Sequence, residues 1–491
     1  MLNPGKPSGI PAKPLEAHGR PGGNHVTATG PVQRNEEAVS PVRVIAFRMA
    51  LVLVFINFSN IHQLLTYVVH VNFYLLYLFG IPTLLGVVLA GGIPRTFRGR
   101  PAVYWGIFAL LMIAGVPFSS WKGGSFQTLI PYLRTVFPML FVIAGVTLTW
   151  RECRSMMWSI ASGGVIIMLA SKFFQDTGGR YGDRLAIEFG TISNSNDYAV
   201  HLLFVLPFVI WAALSAKLKV INLAAWSAVG FGILLVLKTA SRGGLVGIAA
   251  GVLYWLIRGT MRQRIGLLVL GPVLAVTLIA FVPRSSLVRL VAFSASDEDA
   301  PEEAIVSSDA RRYLLRKSIE YTLEHPVFGV GMAQFGAFEG ERNIVIGDHG
   351  MWHDTHNSYT QISSECGLPA LAFYVAAIVC TFRLANKAYR RAGGRTDCED
   401  IRIATFCIML AITTYSAAIT FVNFGYFFYP LLMSSLVIAV SNAANLEFDR
   451  RAFVPVGPQQ HFAPQRRRLP GFAPGGALGG GRAVATTKNT L

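Results

Sequence analysis

Charge is what this 491-residue chain has least of: Asp, Glu, Lys and Arg together make up 14% of it, against about 25% in a soluble globular domain. So few polar side chains cannot coat water-soluble domains of this length, which excludes soluble enzymes of the Rossmann or TIM-barrel type. Cysteine is scarce too. The five residues Cys153, Cys366, Cys380, Cys398 and Cys407 form no CxxC pair, so neither a disulfide framework nor a structural zinc site is indicated. Ten-residue segments of alternating polarity are missing, which argues against a transmembrane β-barrel. Hydrophobic residues, at 53%, rule out a mostly disordered chain. They come in unbroken runs of about 20, the length of a membrane-crossing helix. The expected fold is therefore an all-α polytopic membrane protein.

About twelve such runs are present, near 44–62, 68–91, 102–118, 128–149, 155–173, 197–214, 220–238, 243–257, 265–282, 367–385, 402–421 and 427–444. They divide the chain into a Gly- and Pro-rich arm (1–42), nine spans (43–282), one long loop (283–366), three more spans (367–444) and a polar tail (445–491). Both end segments read as disordered cytoplasmic arms, and the first has no apolar stretch that would make it a signal peptide. The formal charge of +17 could signal nucleic-acid binding, but its placement argues otherwise. Sixteen Lys and Arg fall in short loops on one side (among them Arg95, Arg151, Lys217, Arg258 and Arg391) and seven on the other. The positive-inside rule makes the first side cytoplasmic, places both termini there and turns the long loop outward.

Three clusters gather on the outer side. The first is Lys238-Thr-Ala-Ser-Arg-Gly-Gly244, which holds Arg242 at the membrane surface, where a guanidinium can grip a phosphate through two parallel hydrogen bonds or simply snorkel to headgroups. The second is the basic stretch ARRYLLRKSIEYTLEHP, with Arg311, Arg312, Arg316 and Lys317. There Leu314, Leu315, Ile319 and Leu323 recur at helical spacing, and Pro326 should stop the helix near Glu324. A solvated helix face is the plain alternative for those charges. The third is WHDTHNSY, followed by Glu365 and Gly367. A histidine there, with a reference pKa of about 6.5, can take a proton from an acceptor hydroxyl, while Asn357 or Glu365 could orient it or the substrate, or Asn357 could cap a helix. His353 and His356 have helical spacing for a metal, but no complete ligand set accompanies them, so no metal site is expected. Arg180 and Arg184, before NSNDY, form a weaker fourth group over the same face. His62, His70 and Asn72 are polar groups in or beside apolar spans.

The order of SRGG, a long outward loop with a basic helix ending in EHPVFGVG, and then HNSYTQISSECGLPAL resembles the bacterial O-antigen ligase and polymerase superfamily. The likeness is detailed over roughly residues 190–385. It implies a glycosyltransferase of the inner membrane, working at the periplasmic face without cofactor or metal. The donor would be an undecaprenyl-diphosphate-linked oligosaccharide and the acceptor a saccharide or lipid A core, among membrane lipids and other polysaccharide assembly or export proteins, with no nucleic acid involved. The family's catalytic histidine falls on His356, its Ser-Arg-Gly arginine on Arg242, and its loop arginine on Arg311 or Arg312. NSNDY, and Ala370 after the motif glycine, lean the reading toward a polymerase of O-antigen or exopolysaccharide; ligase and protein oligosaccharyltransferase are the variants. A twelve-span transporter is the competing class, but no internal repeat is evident and the polar candidates lie at one face instead of the midplane.

Overall fold

A computed structural model of the protein describes residues 40–175, 184–291, 302–345 and 353–452. Most of both terminal arms, and Arg180, lie outside the described residues. The helices run in the order α1 (Pro41–Ser59), α2 (Ile61–Val69), α3 (Leu75–Leu89), α4 (Gly92–Phe97), α5 (Arg100–Gly115), α6 (Lys122–Pro131), α7 (Met139–Val142), α8 (Trp150–Phe173), α9 (Ser195–Ser215), α10 (Lys219–Lys238), α11 (Arg242–Arg258), α12 (Met261–Ile279), α13 (Arg284–Val291), α14 (Glu302–Glu324), α15 (Phe335–Val345), α16 (Ser358–Arg391), α17 (Glu399–Ala418) and α18 (Tyr429–Ala452). The described residues contain no strand, only an isolated bridge between Gln175 and Ile187. The protein is an all-α, multi-pass membrane protein.

Nine helices among the described residues are long and apolar enough to cross a membrane: α1, α5, α8, α9, α10, α12, α16, α17 and α18, with α5 and α17 extended by short 3-10 turns. The other three apolar stretches are helical but shorter or interrupted. α3 has 15 residues and carries Pro82 inside it, and α11 has 17. The stretch 128–149 is divided among α6, a π-helical turn at Tyr132–Val136 and α7. Pro131 and Pro138, which lack the amide hydrogen a continuous helix needs, flank that turn.

α9 is buried on nearly all sides, as is α18, whereas α12 is almost wholly exposed. Both kinds are apolar all round, one for contact with protein and the other for contact with lipid. The one histidine inside α9, His201, is a satisfied core residue, with ring nitrogens 2.7 Å from the Tyr429 hydroxyl and 3.1 Å from the Phe58 carbonyl. α11 lies close along α17 and α9 through a line of glycines. A Cβ at Gly243 would stand 2.6 Å from the Phe421 Cβ, one at Gly247 2.4 Å from Leu203, and one at Gly251 2.8 Å from Thr414. This is the small-residue packing by which membrane helices approach each other. The backbone access that SRGG offers at Gly243 is therefore taken by Phe421 and not by a ligand.

α16 is bent sharply at Gly367, where φ is 86° and ψ 171°. The rings of Tyr359 and Tyr374 stand 6.2 Å apart, although 15 residues of straight helix would separate them by about 22 Å. The break frees backbone groups on both sides, and the segment after α14 satisfies them. The amides of Val330 and Gly331 donate to the carbonyls of Ser364 and Glu365 at 2.8 and 2.9 Å, and the Leu368 amide donates to Pro326 O at 2.8 Å. A Cβ on Gly367 would lie 2.2 Å from the Val327 carbonyl oxygen. Gly367→Ala combines that clash with a left-handed backbone. It is expected to cost about 1–3 kcal/mol, read as a lower midpoint of thermal unfolding in detergent and lower membrane abundance.

Candidate active site

A cavity of about 320 Å³ opens where α11, α14, the turn before α16 and the turn after α17 meet. Arg242, Arg311, Arg312, His356 and Asn357 all line it, with Thr355 and Thr420 as further polar groups and Leu245, Val246, Leu315 and Phe421 as the apolar part. Three segments far apart in sequence thus bring one imidazole and three guanidinium groups together.

Each side chain is placed by local sequence. Arg242 is the first residue of α11; Ser241 caps that helix by accepting from the Gly244 amide at 3.2 Å, after Ala240 has turned the chain with φ of 47°. Arg184 props the turn from outside: its Nε donates to Thr239 O at 3.0 Å and its Nη2 to the Asn196 side chain at 2.9 Å. Arg184 serves the turn that carries Arg242 and does not line the cavity. Its Asn196 partner belongs to NSNDY, so that motif is part of the support of the site.

Asn357 caps α16, accepting from the amides of Tyr359 and Thr360 at 2.9 and 3.2 Å. His356, just before it, has φ of 52°, a left-handed conformation that costs about 1–2 kcal/mol for a residue with a Cβ. The turn is pinned to the loop after α17. Thr355 Oγ1 donates to Asn423 Oδ1 at 3.0 Å, and Ser358 Oγ donates to Val422 O at 2.7 Å while accepting from the Phe424 amide at 2.8 Å. Strain held this firmly is characteristic of functional positions. His353 and His356 are not on a helix, contrary to the spacing argument, and among the described residues no group of three His, Cys, Asp or Glu side chains is placed to hold a metal ion.

α14 ends at Glu324, two residues before Pro326. Leu314 and Tyr321 are buried with Val330 and Phe335 in a small core of their own. Glu339 of α15 ties this core together, accepting from the hydroxyls of Tyr313 and Tyr321 and from Asn343. Leu315, Ile319 and Leu323 are exposed, so the apolar spacing in the sequence marks two faces of α14 and not one. Arg311 and Arg312 face the cavity; Arg312 is exposed and 3.9 Å from Asp309. Arg316 lies over the Tyr313 ring at 6.0 Å and is not among the lining residues.

Burial, reinforced by the Arg311 guanidinium and His353 and opposed by Asp354, holds the His356 imidazole below its ordinary pKa. It is thus neutral at neutral pH and able to accept a proton. Two helix N-termini, those of α11 and α16, border the same space, and their dipoles add positive potential there. The arrangement can bind a multiply charged anion beside a proton acceptor.

Residues 227–375 match the O-antigen ligase family. That segment belongs to the O-antigen ligase and polymerase superfamily. It runs from α10 into the second arm of α16 and holds Arg242, Arg311, Arg312, His356 and Asn357, so nearly the whole charged lining comes from the family segment. Thr420 and Phe421 come from beyond it. The match spans residues 227–375 of the 491-residue chain and supports an enzymatic role for the protein. No curated protein matches the chain.

Glu365 is placed differently from the expectation that it orients His356 or substrate directly: it is buried (2% exposed) at the bend of α16, outside the cavity lining. His62, His70 and Asn72 sit in and after α2, also away from the lining. Thr355, Thr420 and Phe421 were not singled out by the sequence reading. The available signal was the Asn423 to Gly425 interruption between two apolar runs, which marks a turn.

Proposed function

We propose that the cavity is the active site of an inverting glycosyltransferase that uses a polyprenyl-diphosphate-linked saccharide as donor. The observation that carries this is the facing of His356 and the Arg242, Arg311 and Arg312 guanidiniums across one cavity. The acceptor hydroxyl gives its proton to the neutral imidazole of His356 as its oxygen forms a bond to the anomeric carbon. The bond from that carbon to the diphosphate oxygen breaks on the opposite face, and the diphosphate leaves with the electron pair. The arginines and helix N-termini meet the charge that accumulates on it, which is often the largest single catalytic contribution. Arginine suits this task because its fork matches two phosphate oxygens.

The far end of the bundle is the basic one: Arg43 pairs with Glu152, Arg391 with Asp449 and Arg451 with Asp400 there. This supports a cytoplasmic assignment for that end and a periplasmic one for the cavity. NSNDY and Ala370 support a polymerase, which joins one lipid-linked repeat to another; the description of the matching family favours the second reading, a ligase to lipid A core. Purified protein incubated with a lipid-linked repeat unit tests both. Longer lipid-linked products, unchanged by EDTA, are expected. No transfer to any saccharide acceptor, with labelled sugar moving across proteoliposomes instead, would overturn the reading in favour of transport.

A further inference from the structure

Glu365 carries a buried carboxyl group that the chemistry above does not use, yet its hydrogen bonds come from two segments that frame the active site. Its Oε2 accepts from the Ala333 amide at 3.0 Å and from the Tyr426 hydroxyl at 2.6 Å. Ala333 belongs to the turn that follows the α14 helix, and it has φ of 57°, so that turn is held in an unusual conformation. Tyr426 belongs to the loop between α17 and α18, whose start carries Thr420 and Phe421 into the cavity. The same loop is zipped along the first arm of α16. The contacts are Asn423 to Thr355, Val422 and Phe424 to Ser358, Gly425 to Gln361 at 3.2 Å, and Tyr426 to Glu365. His356 is at one end of this zip and Glu365 at the other, nine residues or about 13 Å of helix away.

We propose that Glu365 is a positioning residue for the transfer reaction: its side-chain carboxyl locks the turn after α14 and the loop after α17 onto the bend of α16, and so fixes the strained His356 turn against the arginines. The inference rests on the function proposed above. A carboxyl group suits the position because one of its oxygens can receive two donors from different segments. Alanine would remove the acceptor shared by the Tyr426 hydroxyl and the Ala333 amide and release both segments from the bend. The site would still be present but loosened, and misplacement by about 1 Å is enough to cost on the order of 100-fold in rate.

The test uses the purified full chain with a polyprenyl-diphosphate-linked saccharide donor. Glu365→Ala should lower kcat by about 10-fold or more and leave donor KM within about twofold. The acid limb of its pH profile should move upward, because His356 would regain solvent and lose part of the effect of Arg311. Arg242, Arg311 and Arg312 face the imidazole across the cavity, and His353 and Asp354 flank it; all remain in the variant. Glu365→Gln, which keeps an acceptor oxygen, should recover part of kcat. Tyr426→Phe removes one hydroxyl only and should shift kcat and the acid limb in the same direction, which keeps the test valid where Glu365→Ala fails to fold. Cys366, 5% exposed with its Sγ 3.2 Å from the Tyr426 hydroxyl, gives a readout independent of catalysis: maleimide should label it faster in both variants. Wild-type kcat and wild-type labelling in Glu365→Ala and Tyr426→Phe would overturn the proposal. So would a rise in donor KM with unchanged kcat, which would mean contact with substrate. If His356 proves not to be the base, the labelling still reports on the lock, so the two failures are separable.

Discussion

His356→Ala is expected to lose about 100- to 10,000-fold in transfer rate, the range for removal of a general base, while membrane abundance stays near wild type. Two features make the loss specific. The imidazole sits in the cavity with the three arginines, and none of the hydrogen bonds that hold its turn is made by its own side chain: Thr355, Asn357 and Ser358 make them. Removing the ring should therefore leave the turn in place, and relief of a left-handed backbone could even be stabilising in His356→Gly. The pH dependence follows from the direction of the shift. The active form is the neutral imidazole, and burial with Arg311 lowers its pKa. Activity should thus be complete at neutral pH and fall only as the pH drops below the ordinary histidine value. A profile with its acid midpoint at or above that ordinary value, or full activity in His356→Ala, would remove His356 from the base role.

The architecture was legible in the sequence wherever hydrophobicity alone decides it. Runs of about 20 apolar residues became α1, α5, α8 to α10, α12 and α17 within a few residues of the expected limits, because in lipid a helix satisfies every backbone group within its own segment. Helices α16 and α18 run further than expected. The reading weakened where prolines or bends redirect the chain. The stretch 128–149 looks continuous in composition, yet Pro131 and Pro138 divide it. Residues 358–366 carry too many polar groups to register as part of a span, yet they form the first arm of α16 and carry the site down beside the end of α17. The candidate site was legible through residue chemistry: His356 and Arg242 stand out as charged or titratable groups where apolar runs end, and both line the cavity. Glu365 stands out by the same rule. What the sequence could not give is which charges face one cavity. Arg311, Arg312 and Arg316 look equivalent in a string of basic residues, and only the roll of α14, set by Leu314 and Tyr321 in their buried cluster, turns two of them toward His356 and leaves the third over Tyr313.

Arg242→Ala is expected to lower kcat by about 100- to 1,000-fold, the cost of one preorganised donor to developing negative charge. The position of this side chain explains the size. As the first residue of α11 it adds a full charge to the positive end of a helix dipole, so the two act on the same leaving group. Its backbone is held by neighbours: Gly243 packs on Phe421, Ser241 caps the helix and Arg184 holds Thr239. Truncation should for that reason leave the fold intact. Arg242→Lys keeps the charge but loses the paired donors, and an intermediate rate is expected from the difference between a point charge and a fork. Inorganic pyrophosphate offers a check that needs no turnover: it should compete with donor in wild type and bind measurably more weakly to Arg242→Ala and Arg242→Lys, in that order. The interfacial alternative, a guanidinium that only anchors α11 to lipid headgroups, predicts instead that lysine restores wild-type kcat and that pyrophosphate binds all three proteins alike. The two outcomes separate an arginine that serves the membrane from one that serves the reaction.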